Sequence, residues 1–170
     1  PIAFGISFTN TMMNHARALI HIYQDGSVGV STGAVEMGQS VNTKMLQVAQ
    51  DILGISATKV KLETTNTTRV ANTSPSAASA TADLNGKAVE MACNTLIKRL
   101  TALAAKLLSA NEENITFKED QVFLKDKKSE LKWEDVIVQA MVHRVALSEN
   151  AHFTTPIIHF DKTKEKGHPF

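Results

Sequence analysis

A chain of 170 residues with 18 Lys and Arg against 17 Asp and Glu carries a net charge of +1, so no global field draws it to nucleic acid or to an anionic membrane. Its 43% hydrophobic and 21% charged residues are the composition of a domain that buries a core, and a single cysteine, Cys93, excludes a disulfide framework and any multi-cysteine metal site. Seven Phe, one Tyr and one Trp do not make a base-stacking surface, no apolar run is long enough to span a bilayer and no leader pattern is present, which sets the expectation of a cytoplasmic protein with neither nucleic-acid nor membrane partners.

In chain order, residues 4–9 alternate as a strand, and residues 17–23 place Ala18, Ile20 and Ile22 on one face. Asp25-Gly26 is a tight-turn signal before a second strand at 28–32, which makes a hairpin. A loop over 33–38 runs into a helix over 39–53, with Val41, Met45, Val48, Ala49 and Ile52 on its buried face and Gly54 as its stop. Residues 60–64 read as a strand. The Thr-, Asn-, Ser- and Ala-rich run over 65–82 reads as a surface loop, expected to be mobile because few apolar side chains anchor it. It leads into a long helix whose stripe runs through Leu84, Ala88, Met91, Ala92, Thr95, Leu96, Leu100, Leu103, Ala104 and Leu107, with Ser74-Pro75 suited to its N-cap and first turn.

Beyond it, residues 115–117 and 122–124 read as short strands, 125–132 as a solvated segment, 133–144 as a helix, 152–154 as a strand and 161–166 as an exposed loop. The expected fold is α+β in two layers, a mixed sheet with helices on one face. Its expected division is 1–110 and a smaller α+β extension over 111–170, incomplete at its C-terminal end. The start at Pro1 and the end at Phe170 read as those of a piece of a longer polypeptide.

Two segments carry candidate chemistry. Gly33-Ala34-Val35-Glu36-Met37-Gly38-Gln39-Ser40 matches a phosphate loop in all but one position, since Gln39 stands where the lysine belongs. An amide cannot replace that charge, so nucleotide hydrolysis is not expected. What remains is a glycine-rich approach to a ligand, free N–H groups at a helix start and an amide for a polar planar partner. The alternative is a plain turn with a capping glutamine, and the pattern leaves both open.

In residues 72–81, hydroxyl, amide and alanine side chains precede the long helix, whose dipole and exposed main-chain N–H groups suit an anion. An over-capped helix entrance with polar filler is the alternative, and the residues alone favour it slightly. Glu36 reads as a salt-bridge or capping residue as readily as an acid–base group, Cys93 as packing, and six scattered histidines make no metal spacing.

Taken in order, Phe-Gly-Ile-Ser-Phe-Thr, Asp-Gly-Ser-Val, Glu-Met-Gly-Gln, Thr-Lys-Met, Asn-Thr-Ser-Pro-Ser-Ala-Ala-Ser and Ala-Asp-Leu-Asn-Gly-Lys-Ala-Val resemble the molybdopterin-binding region of the molybdenum hydroxylases. The pattern is that of the large subunit in the aldehyde oxidase–xanthine dehydrogenase family, collinear over 4–100 and looser at Trp133-Glu134-Asp135. The resemblance implies a molybdenum–molybdopterin cofactor bound by Met37, Gly38, Gln39, Ala77, Ala78, Ser79, Ala80 and Thr81, with the Ala78 backbone nearest the metal. Ala80 and Thr81 stand where relatives often have valine and serine.

It also implies that Phe8 and Thr9 line the substrate pocket, that the substrate is a purine or related heterocycle hydroxylated with water-derived oxygen, and that iron–sulfur clusters and FAD sit in other domains or electron-transfer subunits. The family's catalytic glutamate is expected beyond Phe170 and its purine-gripping arginine and glutamate before Pro1, so the chain by itself is expected to be inactive. Oxidation of aldehydes or other N-heterocycles, and a non-catalytic interaction domain, are the alternatives.

Overall fold

In a computed structural model the chain is a mixed α/β domain with three helices, described over residues 11–70, 72–77, 79–156 and 159–168. Strand β1 (His15–Ile22) turns through Asp25-Gly26 into β2 (Val28–Thr32), antiparallel, with Ile20 opposite Val30. The Asp25 carboxylate accepts the Ser27 amide at 2.9 Å and closes the turn. Helix α1 (Val41–Leu53) crosses over to β3 (Val60–Leu62), parallel to β2, as a crossover of this length requires.

Strand β7 (Ser148–Thr154) pairs antiparallel with the other edge of β1, giving the order β3-β2-β1-β7. Along β1 burial alternates, with Ala16, Ala18, Ile20 and Ile22 in the core and the residues between them half-buried.

Helix α2 (Ala80–Leu107) lies across β1 and β7 and against α1. Its buried face includes Leu84, Ala88, Ala92, Leu96, Leu100, Leu103 and Ala104, as the periodicity predicts, but also Asn85, Gly86, Val89 and Cys93. Met91 and Thr95, predicted in the stripe, are exposed. The helix touches both α1 and the sheet, so its buried arc is wider than one stripe and rotated from the predicted one. Burial pushes the Cys93 thiol up to about 12, which leaves it inert. At the far end Arg99 pairs with Glu149 and donates to the Ser148 carbonyl at 3.2 Å, tying the helix to β7.

A second sheet follows: β4 (Ile115–Lys118), β5 (Gln121–Leu124) and β6 (Lys127–Lys132), antiparallel throughout, then α3 (Trp133–Val142). The segment over 125–132 is therefore a strand and not merely solvated chain. Lys125 and Asp126 turn at φ 49° and 64°, and β5 satisfies the backbone while the lysines stay in water. Likewise 161–166 is no open loop: its ends belong to the paired strands β8 (His159–Asp161) and β9 (Lys166–His168). Among the described residues the single mixed sheet expected from the sequence is thus three sheets, of which the four-stranded one is mixed.

The small sheet is fastened to the end of α1 and to the first hairpin. Trp133, fully buried, donates its indole N–H to the Gly26 carbonyl at 2.7 Å and meets Phe117 edge-on. Lys59 and Glu134 pair at 2.6 Å. Gly54 caps α1 at φ 68°, and a Cβ there would lie 2.1 Å from the Phe117 carbonyl oxygen. Gly38 also has positive φ, 95°, but nothing lies within 4 Å of its missing Cβ. Gly54→Ala is therefore expected to cost more than about 2 kcal/mol, left-handed strain plus a backbone clash, against about 1 kcal/mol for Gly38→Ala. Urea unfolding of the two variants checks this; equal costs would contradict it.

Candidate functional site

The structure brings the two candidate segments together. Loop 33–40 leaves β2 and loop 72–77 precedes α2, and the Val35 amide donates to Ser76 Oγ at 2.8 Å across 41 residues of sequence. Gly33 lies under Thr73, whose Cγ2 is 2.1 Å from where a Cβ would be. The freedom of Gly33 thus admits a neighbouring side chain, and the open position in this loop is Gly38. Thr65 donates its hydroxyl to the Ala34 carbonyl at 2.9 Å. The Ser74 amide donates to the His15 carbonyl at 3.1 Å.

Ser74-Pro75 is accordingly not the cap of α2, which begins at Ala80 with Ser79 at its N-cap. Ser74 instead extends the pairing of β1 where β2 has turned away. Residues 65–70 and 72–77 are held by buried Val70 and by these hydroxyls, and the hydroxyls are anchors that a count of apolar residues does not register.

The helix start after the first loop is not open to an anion. Glu36 turns back and its carboxylate accepts the amides of Gly38 (2.9 Å), Ser40 (3.0 Å) and Asn42 (3.0 Å). It is the cap of α1, where Ser40 itself makes no side-chain cap. Gln39 is also engaged within the loop, accepting the Met37 amide at 2.6 Å through Oε1 and donating Nε2 to the Val35 carbonyl at 2.9 Å. Met37 is exposed. The loop therefore presents the Met37 side chain and the open side of Gly38, while both ends of the Gln39 amide are occupied within the loop.

The start of α2 differs. Among the described residues no side-chain cap is seen at Ser79, Ala77 and Ser79 are exposed and Ala80 is half-buried. Thr81 and Asn85, one turn apart, are buried. The Asn85 amide group donates to the Thr81 carbonyl at 2.9 Å, while Thr81 Oγ1 and Asn85 Oδ1 have no partner. Buried polar atoms without partners are rare in folded proteins. An uncapped helix end and a Thr81 hydroxyl able to donate suit a polar, anionic group, while Asn85 Oδ1, an acceptor, calls for an N–H or O–H donor, so the residues present fit the cofactor that the resemblance implies. Phe8, Thr9 and Ala78 lie outside the described residues. Sequence reasoning placed Thr73 and Ser76 in a candidate run by their hydroxyls, without their partners, and missed Thr65 and Asn85.

The amides of Asn42, Gly38 and Ser40 hold the Glu36 carboxyl below the usual range. A depressed folded value means the cap is present above the ordinary glutamate range and lost as pH falls through the folded value. Glu36→Ala is expected to free the amides of Gly38, Ser40 and Asn42 at every pH. In the unaltered chain their NMR shifts should titrate together in acid; independence from pH would contradict the capping role.

Comparison with known proteins gives the family. All 170 residues match the family model described as molybdopterin cofactor-binding domain. Xanthine dehydrogenase/oxidase of Gallus gallus is 41% identical over 172 aligned residues, covering 100% of this chain and 11% of that protein. Xanthine dehydrogenase of Emericella nidulans is 41% identical and aldehyde oxidase 2 of Cavia porcellus 37%, each covering 100% of this chain and 11% of its own length. Quinoline 2-oxidoreductase from Pseudomonas putida 86 shares the fold, at a TM-score of 0.75 and 24% identity over 82% of this chain and 19% of that one. The chain thus spans about a tenth of the length of the curated relatives it matches. It belongs to the molybdopterin cofactor-binding domain family, in the form found in xanthine dehydrogenases and aldehyde oxidases.

Proposed function

We propose that this chain forms one wall of the molybdopterin pocket in a cytoplasmic hydroxylase of the xanthine dehydrogenase kind, acting on a purine carbon with water-derived oxygen. The observation that carries the reading is the meeting of loops 33–40 and 72–77 through Val35 and Ser76, beside a helix start with a buried, unpartnered Thr81 hydroxyl. When bound, the cofactor supplies the oxygen-transfer and two-electron chemistry.

The chain's own residues bind and orient. Gly38 leaves room for close approach. Gln39 trades its bonds to Met37 and Val35 for bonds to the pterin. Ser79, Ala80 and Thr81 present the amides and hydroxyls of the α2 start, and Ala77 with the Ala78 backbone, assigned by the resemblance to the metal side, would complete the set that holds the cofactor. Glu36 is committed to α1 and carries no proton for the reaction.

Phe8 and Thr9 are assigned to the substrate pocket. The division at 110/111, the iron–sulfur and FAD domains or subunits, and the remaining large-subunit segments belong to the same reading. The aldehyde oxidase 2 relative supports a second one, an aldehyde or other N-heterocycle as substrate.

Binding of molybdopterin to the chain, followed by the pterin's fluorescence, tests the proposal. Gln39→Ala and Thr81→Val are each expected to weaken it about tenfold, or about 1.4 kcal/mol, while Met91→Ala on the distal exposed face leaves it unchanged. Equal binding by all three variants would overturn the site. No turnover of hypoxanthine with a dye acceptor is expected from the chain alone, and turnover would contradict the assignment of catalysis to other segments.

A further inference from the structure

The face of the four-stranded sheet turned away from α1 and α2 carries a basic cluster that the cofactor reading does not use. Residues between the core positions of β1 point to this side: His15, Arg17, Leu19 and His21. Arg17 registers with His152 on β7, and the two histidines approach with His152 Nε2 at 3.4 Å from His15 Nδ1 and their rings edge to face.

Arg17 is half-buried, and its Nε is sealed from solvent without a hydrogen-bond partner. The two other arginines that meet acids do so at Glu63 and Glu149; Arg144 is exposed. All 17 Asp and Glu of the chain are among the described residues, and none pairs with Arg17. A sealed Nε–H without an acceptor among the described residues is costly, and the Nη end of the half-buried guanidinium matches a carboxylate.

We propose that this sheet face is a docking surface for an acidic polypeptide segment, whose carboxylate is received by Arg17 beside His15 and His152. Charge complementarity argues for an acid. The chain spans 11% of the length of the curated relatives, so polypeptide of the kind that would supply the segment surrounds this domain in those proteins. The other groups on this face do not compete. Ser148, Asn150 and Thr154 of β7 and Gly29 and Ser31 of β2 are uncharged. The nearest acid by register, Glu63 beyond β3, is held by Arg69 and Lys61, two strands from β1. Burial first, then Arg17 and His15, keep His152 below the ordinary histidine range. A docked carboxylate reverses that balance and raises it, so docking takes up a proton and strengthens as pH falls.

The test is an NMR titration of the histidine ring protons with an end-blocked hexaglutamate peptide, with inorganic phosphate in parallel and sedimentation of the chain alone. Saturable shifts at His15 and His152 are expected, with binding at least threefold tighter at pH 6 than at pH 8. Arg17→Gln should weaken it at least fivefold, and Arg17→Lys should fall between. Absent shifts, an unchanged response in Arg17→Gln, or equal binding of phosphate would overturn the proposal. Self-association abolished by Arg17→Gln would overturn it in favour of a second copy of the chain.

Discussion

Everything in this domain is placed by the way α2 lies on the sheet. Ala16 and Ala18 of β1 are fully buried, and side chains that small let a 28-residue helix settle across β1 and β7. Gly86 does the same on the side of α1, where Met45 Cε comes within 3.5 Å of the absent Cβ. With the helix so seated, its length decides the rest. The helix begins just after loop 72–77, which meets loop 33–40 through Ser76, and Arg99 in its second half reaches Glu149 of β7. Larger residues at 16 or 18 would lift the helix and move both ends together.

The candidate site follows from that placement and from how each helix start is treated. At α1 the positive end of the helix is consumed by the chain's own Glu36. At α2, among the described residues, no side chain takes that role, and two polar atoms are buried with nothing to bond. One loop is therefore self-contained and the other awaits a partner. The Ser76 hydroxyl joins the two loops at Val35, which is the basis for proposing that one ligand spans the α2 start, Gly38 and Gln39. The same sheet supports a second surface on its reverse, where Arg17 lacks an acid.

Much of the fold was legible because it rests on local signals. The Asp25-Gly26 hairpin, the stop at Gly54 and the core positions Val41, Met45 and Ala49 are set by turn chemistry and helical period. The failures are of another kind. Met91 and Thr95 obey the period yet lie outside, because only the three-dimensional position of α1 decides how wide the buried arc of α2 is. Strand β6 hid behind its lysines, since an edge strand needs a partner more than it needs apolar residues. In the site, the near-match to a phosphate loop drew attention to the right residues for a reason the structure corrects: the helix start is filled by Glu36, and Gly33 is occupied by Thr73. Ser76 and Asn85 matter through long-range bonds and an orphan oxygen, which no spacing encodes.

The central claim is that loops 33–40 and 72–81 form one ligand site. Hydrogen exchange of the chain with and without molybdopterin tests it most directly. The account predicts slowed exchange in both segments together, with the amides of β4 and β5 unchanged. Protection confined to one loop, or appearing elsewhere in the chain, would contradict it.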